Sequence, residues 1–475
     1  MEIEKTKNGI HVVFIEPMGT ITNVFDKFMS IPMLGPLYLA TITDHAGYNV
    51  SILNENILRR KVMKEELEGV DILCMSCMTA TVERGKIIAE EYKKLRDSLG
   101  RESWTIIGGI HASMIPEDVV DHFDQVFVGE AEEKILDLLS GKDRSKIVKG
   151  NRIRDLDSTP IPDFKLLKNW ESMRSWPIMT SRGCPYDCTF CSVTAMFGQN
   201  YRVKSEERVL EEIKSYDHNW FFFVDDHFIV KKKRTHKILD AFEEQKLNLR
   251  WSCQVRTELG RDPELVKKMR RTGCRTVYVG FESINPSSLE EMNKRQTPED
   301  IRQSIKVFRK SDINIHGMFM FGSDSEDKDI FRSTSEFCRK SGINTVQYMI
   351  MTPLPGTVLY KQLERAGRLL HKKWEYYDAM HVVFQPKNFS TVELQKGMID
   401  CYSDFYSYTN AFNDGLNLLF NSLVAIGKRV YSRAYLPSLI PVLMKFAGKH
   451  IVKSWVVNNK PYLGYLKVMN RPMGD

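Results

Sequence analysis

Short apolar runs alternate with helical patterns along almost the whole chain, and this alternation restricts the fold more than any other feature of the sequence. In the first third the runs are His11-Val12-Val13-Phe14-Ile15, Asn49-Val50-Ser51-Ile52-Leu53, Val70-Asp71-Ile72-Leu73-Cys74-Met75-Ser76, Trp104-Thr105-Ile106-Ile107 and Gln125-Val126-Phe127-Val128. A helical stretch near 35–42 and a polar one over 82–98 separate them. Strands of this length joined by helix-length gaps predict a parallel sheet with crossover helices. The pattern resumes with strands expected at 220–224, 250–255, 276–283, 314–322 and 344–350, and helices at 206–213, 235–246, 263–271, 298–310 and 329–340. With the run at 176–180 this makes six strand–helix repeats, short of a closed eight-stranded barrel. In both regions, ligands are expected at the carboxyl ends of the strands.

Directly after the 176–180 run stands Arg182-Gly183-Cys184-Pro185-Tyr186-Asp187-Cys188-Thr189-Phe190-Cys191. Thiolates suit zinc, copper(I) or iron–sulfur clusters. A closed zinc site wants four ligands, and no fourth Cys or His follows until His218. Three thiolates on one tight loop can instead hold three irons of a 4Fe–4S cluster and leave the fourth open. This C-x3-C-x2-C motif, with Phe190 before the last Cys, resembles that of radical S-adenosylmethionine (SAM) enzymes. The resemblance implies a 4Fe–4S cluster on Cys184, Cys188 and Cys191, and SAM chelated to the open iron and cleaved reductively to a 5′-deoxyadenosyl radical. It also implies that the six repeats form the open (β/α)6 barrel of that family.

The N-terminal third is similar to the cobalamin-binding domain attached to one large class of these enzymes. The resemblance rests on Ser76, Thr79 and Thr81 after one strand, Gly108-Gly109 after the next, Gly109-Ile110-His111-Ala112, and the Gly129-Glu130-Ala131-Glu132 turn. It implies that Ser76, Thr79, Gly108, Gly109 and His111 lie at the cobalamin, although His111 could equally cap the turn that follows it. Domains that supply an axial His carry D-x-H-x-x-G after the first strand, where this chain has Glu16-Pro17-Met18-Gly19; no cobalt-ligating His is expected from that loop. G-x-G-x-x-G is absent, which argues against nicotinamide. By position in the barrel repeats, Asp225 and Asp226 are expected at the amino group of SAM, Arg256 at its carboxylate, Glu282 at its ribose or amino group, and Gln347 with the 353–357 loop at the adenine end. An ammonium wants carboxylate acceptors, which suits the two aspartates. Cys74 and Cys77 are expected to pack beside the cobalamin pocket. Cys274, Cys338 and Cys401 are expected in the core, with Cys253 near a strand end facing the site.

The expected fold class is therefore α/β: a doubly wound, Rossmann-like (flavodoxin-like) domain over 1–140, a turn-rich linker over 141–175 lying on the surface, a partial (β/α)6 barrel over 176–385, and a C-terminal helical segment over 386–475. At 475 residues, several domains are the prior. Hydrophobic content of 42% and charge of 27% are those of a folded soluble protein. Nine cysteines without small-domain spacing argue against a disulfide framework and for a reducing compartment, hence the cytoplasm. The first residues lack an apolar signal core, and no apolar run is long enough to span a bilayer.

The net charge of +7 is carried entirely by residues 411–475, where nine Lys and Arg face Asp414 and Asp475. Ser390-Thr391-Val392-Glu393 reads as a capping box opening a helix past Tyr402 and Tyr406. Beyond it, apolar stretches with interleaved Lys, Arg, Tyr and Trp fit either a helical cap on the barrel or peripheral contact with the anionic inner face of a membrane. Nucleic acid is not expected. The function expected from the resemblance is cobalamin-dependent radical methylation, or related C–C bond formation, at an unactivated carbon of a hydrophobic, lipid-like substrate. One SAM would methylate cobalamin and a second would give the radical, with flavodoxin or ferredoxin as electron donor. A radical enzyme of other outcome, such as cyclisation with cobalamin absent, and a non-catalytic iron–sulfur regulator are the alternatives.

Overall fold

The computed structural model describes residues 9–21, 31–412, 415 and 440–469. Its first sheet contains β1 (His11–Glu16), β2 (Asn49–Asn54), β3 (Ile72–Ser76), β4 (Thr105–Gly108), β5 (Gln125–Val128) and β6 (Ile147–Lys149). All pairings are parallel and the order is β2-β1-β3-β4-β5-β6. β1 and β3 are buried along nearly their whole length, which is why they read as unbroken apolar runs. The helix Leu34–His45 puts Leu37 and Tyr38 into the core with Val12, Phe14 and Ile52. Strand order reverses between β1 and β3, so the crevice at their carboxyl ends is the topological switch point where such sheets take ligands. β6 lies in the segment expected to be a surface linker; its three residues Ile147-Val148-Lys149 bury only Val148 and are too short to register as a strand in the sequence.

The remaining strands are β7 (Trp176–Ile178), β8 (Ser181–Arg182), β9 (Arg202–Val203), β10 (Trp220–Phe223), β11 (Arg250–Val255), β12 (Cys274–Glu282), β13 (Asn314–Phe321) and β14 (Thr345–Ile350). β8 and β9 form a small antiparallel pair that frames the cysteine loop. The chain divides into two compact units, Met1–Gln254 with Thr352–Asp378, and Val255–Met351 with Ala379–Asp475. The first holds the N-terminal sheet and the parallel array β7-β10-β11; the second holds the parallel array β12-β13-β14. Each of the six barrel strands is followed by helical structure, as a partial (β/α)6 barrel requires.

Barrel strands alternate as the sequence demands. In β11, Trp251, Cys253 and Val255 are buried while Ser252 and Gln254 point to the other, more open face. Cys253, expected near a strand end facing the site, is thus a core residue with no exposure. In the second unit, β14 is covered by tyrosines: the Tyr402 hydroxyl accepts the Tyr348 amide (2.9 Å), and Tyr406 bonds both the amide and the carbonyl of Val346 (3.0 and 2.8 Å). Hydroxyls here occupy the groups an exposed strand edge would offer to another chain. The helix that supplies Tyr402, Thr391–Phe405, starts at Ser390 with the expected capping box. Two more helices, Ile440–Asn458 and Lys460–Met469, pack beside it: Trp455 lies 5.9 Å from Tyr402, and Tyr462 donates to the Val382 carbonyl at 2.7 Å. The apolar and basic stretch over 416–439 lies outside the described residues. Among the described residues no helix is long and apolar enough to cross a membrane.

Candidate functional site

The cysteine loop leaves β8 through Gly183, at φ +87°, where a Cβ would meet the Asn200 carbonyl at 2.8 Å. Only glycine fits this turn. Cys184, Cys188 and Cys191 are each partly exposed, whereas all six other cysteines are buried. The Cys191 amide donates to the Cys188 carbonyl at 3.1 Å, and Thr194 Oγ1 donates to the Tyr186 carbonyl at 3.0 Å, closing the loop onto the helix Ser192–Phe197. Burial pushes the Cys191 thiol up to about 12, helped by Cys188, Asp226 and Cys184 nearby. Such a site disfavours thiolates until a cationic iron compensates them. Three partly exposed thiols within eight residues of one loop are the donor set that a cubane with one open iron would use.

Asp225 and Asp226, adjacent in sequence, do different things. Asp225 is turned into the protein, accepting from the Thr180 amide (3.2 Å), Thr180 Oγ1 (2.9 Å) and Ser181 Oγ. Asp226 lines a cavity with Ser181, Arg182, Met179 and Phe197. Burial, then the charge of Asp225, pushes its carboxyl up to about 7, against the opposing Gly183 amide bond. A half-buried carboxylate beside the cluster loop, with no cation paired to it among the described residues, is a seat for an ammonium, and Asp226 fits SAM on that ground.

A second cavity in the same unit opens at the carboxyl ends of β3 and β4. Phe14, Cys74, Met75, Ser76, Ile106, Gly108, Gly109 and Phe127 line it. Gly109 has φ +91°, and a Cβ there would strike the Cys77 backbone at 2.7 Å; at Gly108 an added Cβ would meet nothing closer than 3.9 Å. This glycine cradle leaves the backbone open at Gly108, which fits the close approach of a corrin or its tail, while Gly109 is glycine for its own turn against Cys77. Thr79 and His111 do not line the cavity. His111 is fully buried, with Nε2 3.1 Å from Asp118 Oδ2 and its ring 5.3 Å from Trp374. Cys77 packs beneath Gly85 and Gly109, and Cys74 reaches the cavity wall.

Two buried networks in this unit were not visible in the sequence. Glu130 accepts from Arg182 (3.0 Å), from Arg202 and from the Ile153 amide (3.0 Å), while Glu132 pairs with Arg182 at 2.6 Å. Burial opposes the Glu130 charge, but Arg202 and Arg182 outweigh it and hold the carboxyl below its usual range. Arg182 immediately precedes the cysteine loop, so this turn clamps the loop to the N-terminal sheet. The other network is a strap, Thr352–Asp378. Its Leu359 amide donates to Thr189 between two cluster cysteines (2.9 Å), its Gly356 abuts Met114 and Ala195, and its Trp374 indole donates to Asp118 at 2.9 Å. Gly356 of the 353–357 loop, expected at an adenine, thus lies against the helix that follows the cysteine loop.

In the second unit, Arg256 and Glu282 meet through a residue that sequence reasoning missed. Lys294 Nζ pairs with Glu282 at 2.7 Å, both buried, and the Lys294 carbonyl accepts from Arg256. Glu282 has φ +61° beside a break in the β12–β13 register. Strained backbone of this kind persists where the surroundings enforce it, often at functional sites. Gln347 is half-buried on β14 and bonds His316, whose Nδ1 lies 2.8 Å from Thr345 Oγ1. Burial lowers His316 to about 4, so it is neutral at physiological pH.

Comparison with known proteins agrees with this geometry. Residues 178–353 match the Radical SAM superfamily and residues 29–139 match the B12 binding domain. The chain is 24% identical over 409 residues to bacteriochlorophyllide d C-12(1)-methyltransferase of Chlorobaculum tepidum, covering 83% of this chain and 87% of that one. It is 24% identical over 385 residues to hopanoid C-3 methylase of Methylococcus capsulatus, covering 75% and 73%. Its fold resembles that of the cobalamin-dependent SAM radical enzyme OxsB with aqua-cobalamin bound, at TM-score 0.65, 12% identity and coverage of 98% and 82%. With the cysteine loop on the barrel and the glycine cradle on the N-terminal sheet, the chain carries a radical SAM domain over residues 178–353 and an N-terminal B12-binding domain over residues 29–139.

Proposed function

We propose that the protein is a cobalamin-dependent radical SAM methylase acting on an unactivated carbon of a hydrophobic substrate. One observation carries this reading: the cavity at the glycine cradle and the cavity at Asp226 share a wall made of Leu34, Gly35, Met179, Arg182 and Phe197. Bound together, the cluster, SAM and cobalamin supply a hydrogen-abstracting radical and a methyl group. A carbon that meets both must lie at the shared wall. That wall is apolar except for Arg182, whose guanidinium is already paired to Glu130 and Glu132. It has no free charge to offer, so the carbon it receives is flanked by apolar substrate.

Around it, Ser76, Gly108 and Gly109 would hold cobalamin, and Cys184, Cys188 and Cys191 the cluster. Asp226 would accept the SAM ammonium, while Asp225 fixes the strand end behind it. Arg256, Glu282 and Gln347 keep their assignment to SAM, with Lys294 positioning the first two. His111 supports the backbone behind the cradle. The relatives' printed activities, on a bacteriochlorophyllide and a hopanoid, suit a bulky apolar substrate. A flavodoxin or ferredoxin in the cytoplasm would supply the electron.

The test is anaerobic reconstitution with iron, sulfide and cobalamin, followed by incubation with SAM, reductant and a lipid extract. Equal formation of S-adenosylhomocysteine and 5′-deoxyadenosine, with a lipid gaining one methyl mass, is expected. Protein that takes up no cobalt yet still forms 5′-deoxyadenosine would replace methylation by another radical outcome. Zinc retained in place of iron would sink both.

A further inference from the structure

Between Ile440 and Met469 the chain holds five lysines and not one carboxylate. The two helices use one stripe for the fold: Val452, Trp455 and Asn459 on the first, Tyr462 and Leu466 on the second, are buried. Lys445 belongs to that stripe, its ammonium 4.6 Å from the Phe405 ring. The opposite stripe is open, with His450, Lys453 and Val457 on the first helix and Lys460, Lys467 and Val468 on the second. Val457 is 54% exposed and Val468 65%. Nothing in the cofactor sites uses this face.

Its chemistry selects an occupant. A nucleic-acid surface presents guanidinium forks and exposed aromatic rings for stacking. Here the exposed cations are all lysines, Trp455 and Tyr462 are turned inward, and Tyr465 is half-buried against Tyr462. A second copy of the chain would bring lysine against lysine. Lysines on flexible stems, interleaved with exposed valines, instead match an interface whose surface is anionic and whose depth is apolar. We propose that this face docks peripherally on an anionic phospholipid bilayer, its lysines at the headgroup phosphates and Val457 and Val468 at the acyl boundary. The docking does not depend on the methyl-transfer reading, because it is measured without turnover.

The experiment is flotation of the full-length protein with vesicles of phosphatidylcholine alone or mixed with phosphatidylglycerol. Selective flotation with the anionic vesicles, released by salt, is expected. The triple variant K453E/K460E/K467E should bind them about a hundredfold more weakly, at roughly a factor of ten or less per lysine. V457S/V468S, which leaves the charge unchanged, should weaken binding while melting close to the parent. Should the charge-reversal variant fail to fold, K453Q/K460Q/K467Q serves in its place, with a smaller loss in the same direction. Equal binding by parent and folded variants, no preference for anionic vesicles, or tighter binding to duplex RNA than to the vesicles would overturn the proposal.

Discussion

At the scale of single residues, accessibility separates the working thiols from the structural ones. Three cysteines are partly exposed and six are buried. Metal-free protein treated anaerobically with an alkylating reagent should gain three adducts, on Cys184, Cys188 and Cys191, slowly at Cys191 because burial raises its thiol. Reconstitution should protect all three, and intact mass with peptide mapping reads both results. Glu16 makes a second prediction. It closes β1 at the position where other cobalamin domains begin a histidine loop. Its Oε2 accepts from the Met33 amide (2.9 Å) and Asn54 (2.8 Å), and its Oε1 has no partner among the described residues. Burial pushes the carboxyl up to about 8 against those two bonds. The folded chain therefore keeps a proton that the unfolded chain loses above about 4.5. The resulting stability is fully present below that value and lost as pH rises through about 8, an effect on the order of a few kcal/mol. Melting temperatures across this window should fall more steeply for the parent than for E16Q; parallel profiles would show that Glu16 is ionised throughout.

At the scale of elements, the cysteine loop is held by charges from another part of the chain. Changing Glu130 to Gln removes a buried anion that faces both Arg182 and Arg202 and leaves their cations undercompensated. Breaking a buried pair in this way costs about 3–5 kcal/mol. E130Q should melt well below the parent and take up less iron under identical reconstitution, whereas E133Q, one turn away and exposed, should change neither. These contacts also mark where sequence reading stops. The strand–helix repeats were legible because hydrophobic periodicity is local, and the cluster loop because its three ligands fall within eight residues. The partners Glu130–Arg182 are separated by 52 positions and Trp374–Asp118 by 256. No local pattern announces such a pairing; topology decides it. The same limit hid Lys294, which sits in an ordinary polar run until the fold brings it to Glu282. Adjacent Asp225 and Asp226 looked equivalent in sequence, yet past the end of β10 the chain turns one into the core and the other to the cavity. In β11, one-residue parity puts Cys253 on the buried face and Ser252 and Gln254 on the more open one.

At the scale of the whole molecule, the positive charge gathered after residue 410 gave two readings, cap or membrane face, and the described helices support the first while leaving an outer face for the second. The two roles fall on opposite stripes of the same helices, so they can be separated. Ending the chain before Ile440 removes Trp455 from beside Tyr402 and Tyr462 from beside Val382. Tyr402 and Tyr406 would then lose the packing that holds their hydroxyls on β14. Loss of one buried aromatic alone costs about 3–5 kcal/mol, so the truncated chain should be strongly destabilised, with a lower melting temperature and loss of near-ultraviolet circular dichroism. Exposed substitutions usually stay within about 0.5 kcal/mol, so K453E/K460E/K467E should melt close to the parent. A truncation that melts like the full chain would show that the segment is a detachable anchor, and that the β14 edge is satisfied without it.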